Sequence, residues 1–199
     1  MTIGLIGSAI LLIAAIASTL FNRSDKEKPS VIPSAQQAQP QIAQQAPPQL
    51  PADLAPTVLQ ANFKTLDGKT KKLADYAGKV VVVDLWATWC GPCRQEIPHL
   101  IEMANTYKGK GVEVIGLTNE NPAVDTDKVK NFSKEFKINY AIGWADPQMQ
   151  MGLMNGRNGI PQTIIIGRDG KVKKHFVGFS AMVSPQQMKA ALDEAVAAG

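Results

Sequence analysis

The chain has 199 residues, a formal net charge of +4, 19% charged and 45% hydrophobic residues, which allows one ordinary domain plus extra segments. Downstream of Pro56, its 18 Lys and Arg are interspersed with 14 Asp and Glu, the pattern of a solvated surface rather than of a nucleic-acid footprint. Only two cysteines are present, three residues apart; this excludes a disulfide-stapled scaffold and leaves redox chemistry or metal binding.

Ile3 to Phe21 is an uncharged run of 19 residues. As a helix it would cover about 28 Å, close to the roughly 30 Å of bilayer hydrocarbon. Ala15-Ile16-Ala17 has the small-x-small form of a signal-peptide cleavage site, yet no Lys or Arg precedes the run. Residues 1–22 are therefore read as an N-terminal transmembrane anchor, with a cleavable signal peptide as the alternative. Arg23, Lys26 and Lys28 follow the run, and the positive-inside rule by itself would place the remaining chain in the cytoplasm.

Residues 23–55 read as a disordered linker. Pro29 to Pro56 holds seven Pro, seven Gln and no aromatic residue, too little apolar surface to offset the entropy of ordering. Pro-rich chain extends by about 3.1 Å per residue, so such a linker reaches several tens of ångströms.

Residues 56–199 alternate strand with helix. Ala61–Thr65 and Lys71–Leu73 flank Asp67-Gly68, a hairpin signal. Val80–Leu85 is an apolar strand broken only by Asp84, as expected of a central strand buried on both faces. A helix is expected from near Cys90 to about Tyr107, a second buried strand at Val112–Leu117, and an amphipathic helix at Asp125–Phe136. Tyr140–Trp144 reads as a short strand and Pro147–Met154 as a helix. Thr163–Ile166 and Val172–Val177 flank Arg168-Asp169-Gly170 as a hairpin. Ser184-Pro185-Gln186-Gln187 has the form of a capping box opening a last helix, with Met188, Ala191, Leu192, Ala195 and Val196 on one stripe. The order of elements implies an α/β fold with a mixed central sheet covered by helices on both faces.

The cysteines lie where a buried strand gives way to a helix. The helix N-terminus carries about half a positive charge, which favours a thiolate on the first cysteine, Cys90. Three residues make about one turn, within reach of a disulfide. Cys90 is thus the expected nucleophile on a substrate disulfide and Cys93 the resolving thiol. Cys93 must lose a proton, and two carboxylates are candidates to take it: Asp84 in the apolar strand, and Glu96 three residues after Cys93 on nearly the same helix face.

The run Trp86-Ala87-Thr88-Trp89-Cys90-Gly91-Pro92-Cys93 resembles the active site of the thioredoxin superfamily. With Arg94-Gln95-Glu96-Ile97-Pro98 it is similar to the TlpA group, which includes the ResA and CcmG reductases. The resemblance covers about residues 56–198 and includes Gly159-Ile160-Pro161-Gln162-Thr163. It implies a thioredoxin-like fold with an N-terminal hairpin extension. It also implies that Pro161 is the cis-proline facing the cysteines, where a substrate strand pairs beside Ile160 and Pro161. Glu96 matches the group's acid. Asp84 departs from its pattern, because that group often has a non-ionisable residue there. Trp89 is expected to pack beside Cys90 and add to the contact surface, and Gly91-Pro92 resembles the reducing members. Further implications are extracytoplasmic protein substrates (apocytochrome c thiols or copper-site assembly proteins) and a membrane electron donor of the DsbD or CcdA kind. The expected protein is a monomer with no cofactor beyond the Cys90–Cys93 disulfide, on an inner-membrane anchor with its catalytic domain in the periplasm or extracytoplasmic space. A Cu(I) metallochaperone using the same thiols is the alternative. His99 and His175 lack metal-ligand spacing relative to the pair, so no metal ligand is assigned.

Overall fold

A computed structural model describes residues 54–198. The expected anchor at 1–22 and the linker as far as residue 53 lie outside the described residues. Among the described residues no helix is long and apolar enough to cross a membrane.

The sheet is organised around β3 (Val80–Trp86), whose seven residues are all buried. A strand covered on both faces must be apolar throughout, and the Val run supplies this. β3 pairs in parallel with β4 (Val112–Thr118) and antiparallel with β6 (Gln162–Ile166). β5 (Ala141–Trp144) lies parallel beside β4. The expected hairpins form, joining β1 (Asn62–Thr65) to β2 (Thr70–Lys72) and β6 to β7 (Val172–Val177). The strand order is β2-β1-β5-β4-β3-β6-β7. Both edge strands carry lysines, Lys71 and Lys72 on β2 and Lys173 and Lys174 on β7, which discourages pairing with another sheet.

Alternate residues of β3 face opposite layers. Val81, Val83 and Leu85 join Phe63, Ile115, Ile164, Met149 and Leu153 in a core under α1 (Pro56–Gln60) and α4 (Pro147–Met154). Val80 and Val82 meet Leu100 and Met103 of α2 (Gly91–Thr106) and Met188 and Leu192 of α5 (Ser184–Ala197). Trp86, at the C-terminal end of the strand, meets Ile97 together with Val129 and Phe132 of α3 (Pro122–Phe136). The mixed sheet covered on both faces is as the element order implied.

Four details differ from the sequence reading. The core extends back to Leu54, which composition had assigned to the linker and which is buried in the α1–α4 layer. The five-residue helix α1 was not anticipated, being too short for periodicity to show. Helix α3 begins three residues early, because Asn121 Oδ1 accepts the Ala123 N–H at 2.9 Å and Pro122 occupies the first turn. The capping box at Ser184 is absent: α5 has no side-chain cap, and Ser184 Oγ accepts the Ser180 N–H at 2.9 Å instead.

Candidate active site

Cys90 is the N-cap of α2, and Pro92 sits in the first turn, where its missing N–H costs nothing. Cys90 Sγ accepts the Cys93 backbone N–H at 3.2 Å. One of the unpaired donors of the helix start is therefore aimed at the sulfur, where it favours negative charge. The two cysteines form a disulfide with their Cα atoms 5.3 Å apart. Cys93 is fully buried and Cys90 nearly so, while Gly91 and Pro92 are exposed. Trp89, just before the pair, is 64% exposed, the largest uncovered ring in the site.

A second loop approaches from β6. Gly159 has φ +84°, a conformation glycine takes readily, and the following Ile160–Pro161 peptide is cis. The Ile160 carbonyl oxygen lies 3.7 Å from Cys90 Sγ. Gln162 braces this loop: its Nε2 donates to the Gly159 carbonyl at 2.8 Å, and its Oε1 lies 2.8 Å from His175 Nε2. Burial, followed by the nearby Arg157 charge, lowers the His175 pKa to about 4, so this imidazole stays neutral. Gly178 N–H also donates to the Pro161 carbonyl at 2.8 Å.

Beneath the cysteines lie the two acids. Glu96 follows Cys93 by three residues, so the two side chains share a helix face, and both are buried. Thr163 Oγ1 donates to Glu96 Oε1 at 2.5 Å. Thr163 is also the β6 register partner of Asp84 on β3. Glu96 thus lies over the Asp84–Thr163 rung of the sheet. Neither Asp84 oxygen has a hydrogen-bond partner, nor does Glu96 Oε2. Burial raises the Asp84 pKa well above the usual carboxylate range, and the neighbouring Glu96 charge raises it further. Burial likewise pushes Glu96 up to about 7, against the opposing Thr163 hydrogen bond. Two buried acids with spare oxygens can each hold a proton near neutrality.

Tyr140 was not foreseen as part of this cluster. Its buried hydroxyl has no partner, and its pKa is raised by burial and then by the Asp84 and Glu96 charges. Its ring and the Trp86 indole converge on Gly116, the β4 partner of Asp84: a Cβ there would stand 2.9 Å from Trp86 Nε1 and 3.2 Å from Tyr140 Cε2. Glycine at 116 leaves room for the cluster. Of the residues singled out from sequence, the fold brings Cys90, Cys93, Ile160 and Pro161 to one edge and Asp84 and Glu96 below them. Among the described residues no group of three or more His, Cys, Asp and Glu is arranged to hold a metal ion. His99 is half-buried on α2 with its ring 5.5 Å from that of Phe179.

A mixed sheet of this order, with a Cys-x-x-Cys pair capping the helix after its central strand and a cis-proline loop beside it, defines a thioredoxin-like protein. The chain belongs to the Redoxin family, which it matches over residues 49–192. It is 34% identical over 113 residues to the thiol-disulfide oxidoreductase ResA of Geobacillus thermodenitrificans, covering 57% of this chain and 63% of that protein. It is 37% identical over 114 residues to the protein of the same name from Bacillus anthracis, with the same two coverages. The match thus spans less than two thirds of the length of these relatives. Among solved structures, a thiol:disulfide interchange protein of the thioredoxin family from Chlorobium tepidum TLS is 27% identical with a TM-score of 0.61, covering 76% of this chain and 99% of that one.

Proposed function

We propose that this protein is a thiol-disulfide oxidoreductase that reduces protein disulfides through Cys90 and Cys93. The observation that carries the reading is the Cys90 sulfur itself. It sits at the N-terminus of α2, takes the Cys93 N–H at 3.2 Å, and faces the Ile160 carbonyl at 3.7 Å. The ResA relatives, called thiol-disulfide oxidoreductases, support the oxidoreductase chemistry.

The reduced pair starts the reaction. Cys90 thiolate attacks one sulfur of the substrate disulfide, forming a mixed disulfide and expelling the other substrate sulfur as thiolate. Cys93 gives its proton to the Glu96–Asp84 cluster and attacks Cys90 Sγ. The Cys90–Cys93 disulfide forms, the mixed disulfide breaks, and the second substrate thiolate leaves. Two electrons pass from the cysteine pair to the substrate, and an external dithiol restores the pair. A substrate strand can lie along Ile160 and Pro161, because proline has no N–H to compete for that edge.

The physiological setting belongs to the same proposal. Residues 1–22 would anchor the chain in the inner membrane and residues 23–55 would give the domain reach. The domain would work on the extracytoplasmic side on apocytochrome c or copper-site assembly proteins, re-reduced by a membrane donor of the DsbD or CcdA kind. The resemblance to the TlpA group supports that side, against the Lys and Arg that follow the apolar run. Redox titration of the full chain tests the direction of electron flow. A reduction potential nearer the roughly −270 mV of thioredoxin is expected, and one above about −180 mV would overturn the reductase reading. A membrane-impermeant thiol reagent applied to intact cells tests the side: labelling of Cys90 is expected, and protection until lysis would contradict it.

A further inference from the structure

We propose that Glu120 is a positioning residue for the active-site turn: it grips Thr88, two residues before Cys90, and so fixes how the nucleophile is presented. This rests on the reading of Cys90 as nucleophile and adds a residue that neither the cysteine motif nor the acid pair includes.

The turn Ala87-Thr88-Trp89 joins β3 to α2. Locally it is closed by one bond, Cys90 N–H to the Ala87 carbonyl at 3.1 Å. The rest of its fixing comes from elsewhere in the chain. Glu120, in the segment between β4 and α3, accepts the Thr88 N–H at 3.1 Å and the Thr88 hydroxyl at 2.5 Å. Arg94 Nη1 donates to the Thr88 carbonyl at 3.4 Å. Every polar group of Thr88 is therefore held from outside the turn.

Glu120 is itself immobilised. It is buried, and Thr118 Oγ1 donates to it at 3.1 Å. Nζ of Lys128, a half-exposed side chain of α3, closes the remaining side at 2.7 Å. A carboxylate engaged on every side is a fixed anchor and an unsuitable proton carrier, unlike Asp84. The turn needs such an anchor. Trp89, the next residue, is mostly in solvent, and Cys90 must keep Sγ near both the Cys93 N–H and the Ile160 carbonyl. A displacement of about 1 Å at reacting atoms can cost up to roughly a hundredfold in rate.

The test uses the full chain carrying Cys93→Ser, so that only Cys90 reacts, and follows its attack on the aromatic disulfide DTNB across pH. The midpoint of that profile reports thiolate formation, and its high-pH plateau reports how well a formed thiolate attacks. Glu120→Ala is expected to lower the plateau about tenfold. Thr88→Val, which loses only the hydroxyl donor, should lower it by a smaller factor and covers the case in which Glu120→Ala does not fold. Glu120→Gln should restore most of the plateau, because an amide oxygen still accepts the Thr88 N–H. A plateau unchanged in both Glu120→Ala and Thr88→Val, with only the unfolding midpoint lowered, would overturn the proposal in favour of a purely structural role. A shift of the pH midpoint with the plateau intact would overturn it in favour of a charge effect. A parent Cys90 that reacts no faster than an ordinary exposed thiol would overturn the nucleophile reading, and this proposal with it.

Discussion

Glu120 and Asp84 are both acids buried in one small domain, 7% and 1% exposed, yet they are built in opposite ways. Around Glu120 burial is outweighed by Lys128 and by the donors of Thr88 and Thr118, and its pKa falls below the ordinary value. Burial, with no partner for either oxygen, and then the like charge of Glu96 raise the Asp84 pKa. Burial is common to both, and the supply of donors decides the outcome. One carboxylate becomes a fixed part of the scaffold. The other keeps both oxygens free and, in the mechanism proposed above, is poised to take the proton that Cys93 must lose.

The largest expected consequence lies on the poised side. Replacing both acids, Asp84→Asn with Glu96→Gln, should slow attack of Cys93 on the mixed disulfide by about a hundredfold, since positioned proton transfer typically contributes at least that much. Stopped-flow measurement of the two phases separates this step from the first attack by Cys90, which should change little. Equal slowing of both phases would erase the distinction between the two acid sites.

Next in size is the scaffold side. Glu120→Ala leaves the buried Thr88 N–H without its acceptor, and should reduce unfolding stability by about 1–3 kcal/mol at pH 7. Because the folded-state pKa of Glu120 is lowered, its contribution is present above its ordinary value of 4.5 and is lost as pH falls through the folded value. Denaturant curves at pH 7 and pH 3 should therefore show the loss at pH 7 and a smaller one at pH 3.

Glu96 should give the opposite sign. Its pKa rises from 4.5 to about 7 on folding. The folded state therefore holds a proton that the unfolded state has released, and stability falls as pH rises through that window. Glu96→Gln removes the penalty and should stabilise the protein by about 1–3 kcal/mol at pH 8, a gain that disappears below pH 4.5. The same measurement on Asp84→Asn should show a gain at pH 8 that fades toward 3.8. Loss of stability from either amide at pH 8 would mean that these acids are scaffold like Glu120.

The smallest effect is expected at the rim. Trp89 is 64% exposed, so Trp89→Ala should move unfolding stability by no more than about 0.5 kcal/mol. It should raise KM for a protein disulfide while leaving the reaction with a small disulfide nearly unchanged.

Much of this arrangement is legible in the sequence because the relevant signals are local. The Val run marks β3, the cysteine spacing and Pro92 mark the start of α2, and an unpaired acid among valines marks Asp84. The Gly159-Ile160-Pro161 stretch draws attention through resemblance. Glu120 is not legible in this way. Asn119-Glu120 after a strand looks like an exposed loop, and the burial of Glu120 depends on Thr88, thirty-two residues earlier, and on Lys128 of α3. Tyr140 lies just before the short strand β5, and only the parallel pairing of β4 with β5, with Gly116 beneath its ring, carries it toward Asp84. Ser184 shows the converse: it fits a capping pattern, but the preceding loop brings the Ser180 N–H to its hydroxyl first.

The assignment of Cys90 as the attacking sulfur is tested most directly by a trap. Full-length Cys93→Ser protein, reduced and mixed with a disulfide-bonded peptide, should accumulate a mixed disulfide that mass spectrometry places on Cys90 and that dithiothreitol releases. An adduct absent from Cys90, or one formed equally well by the reciprocal Cys90→Ser protein on Cys93, would contradict it.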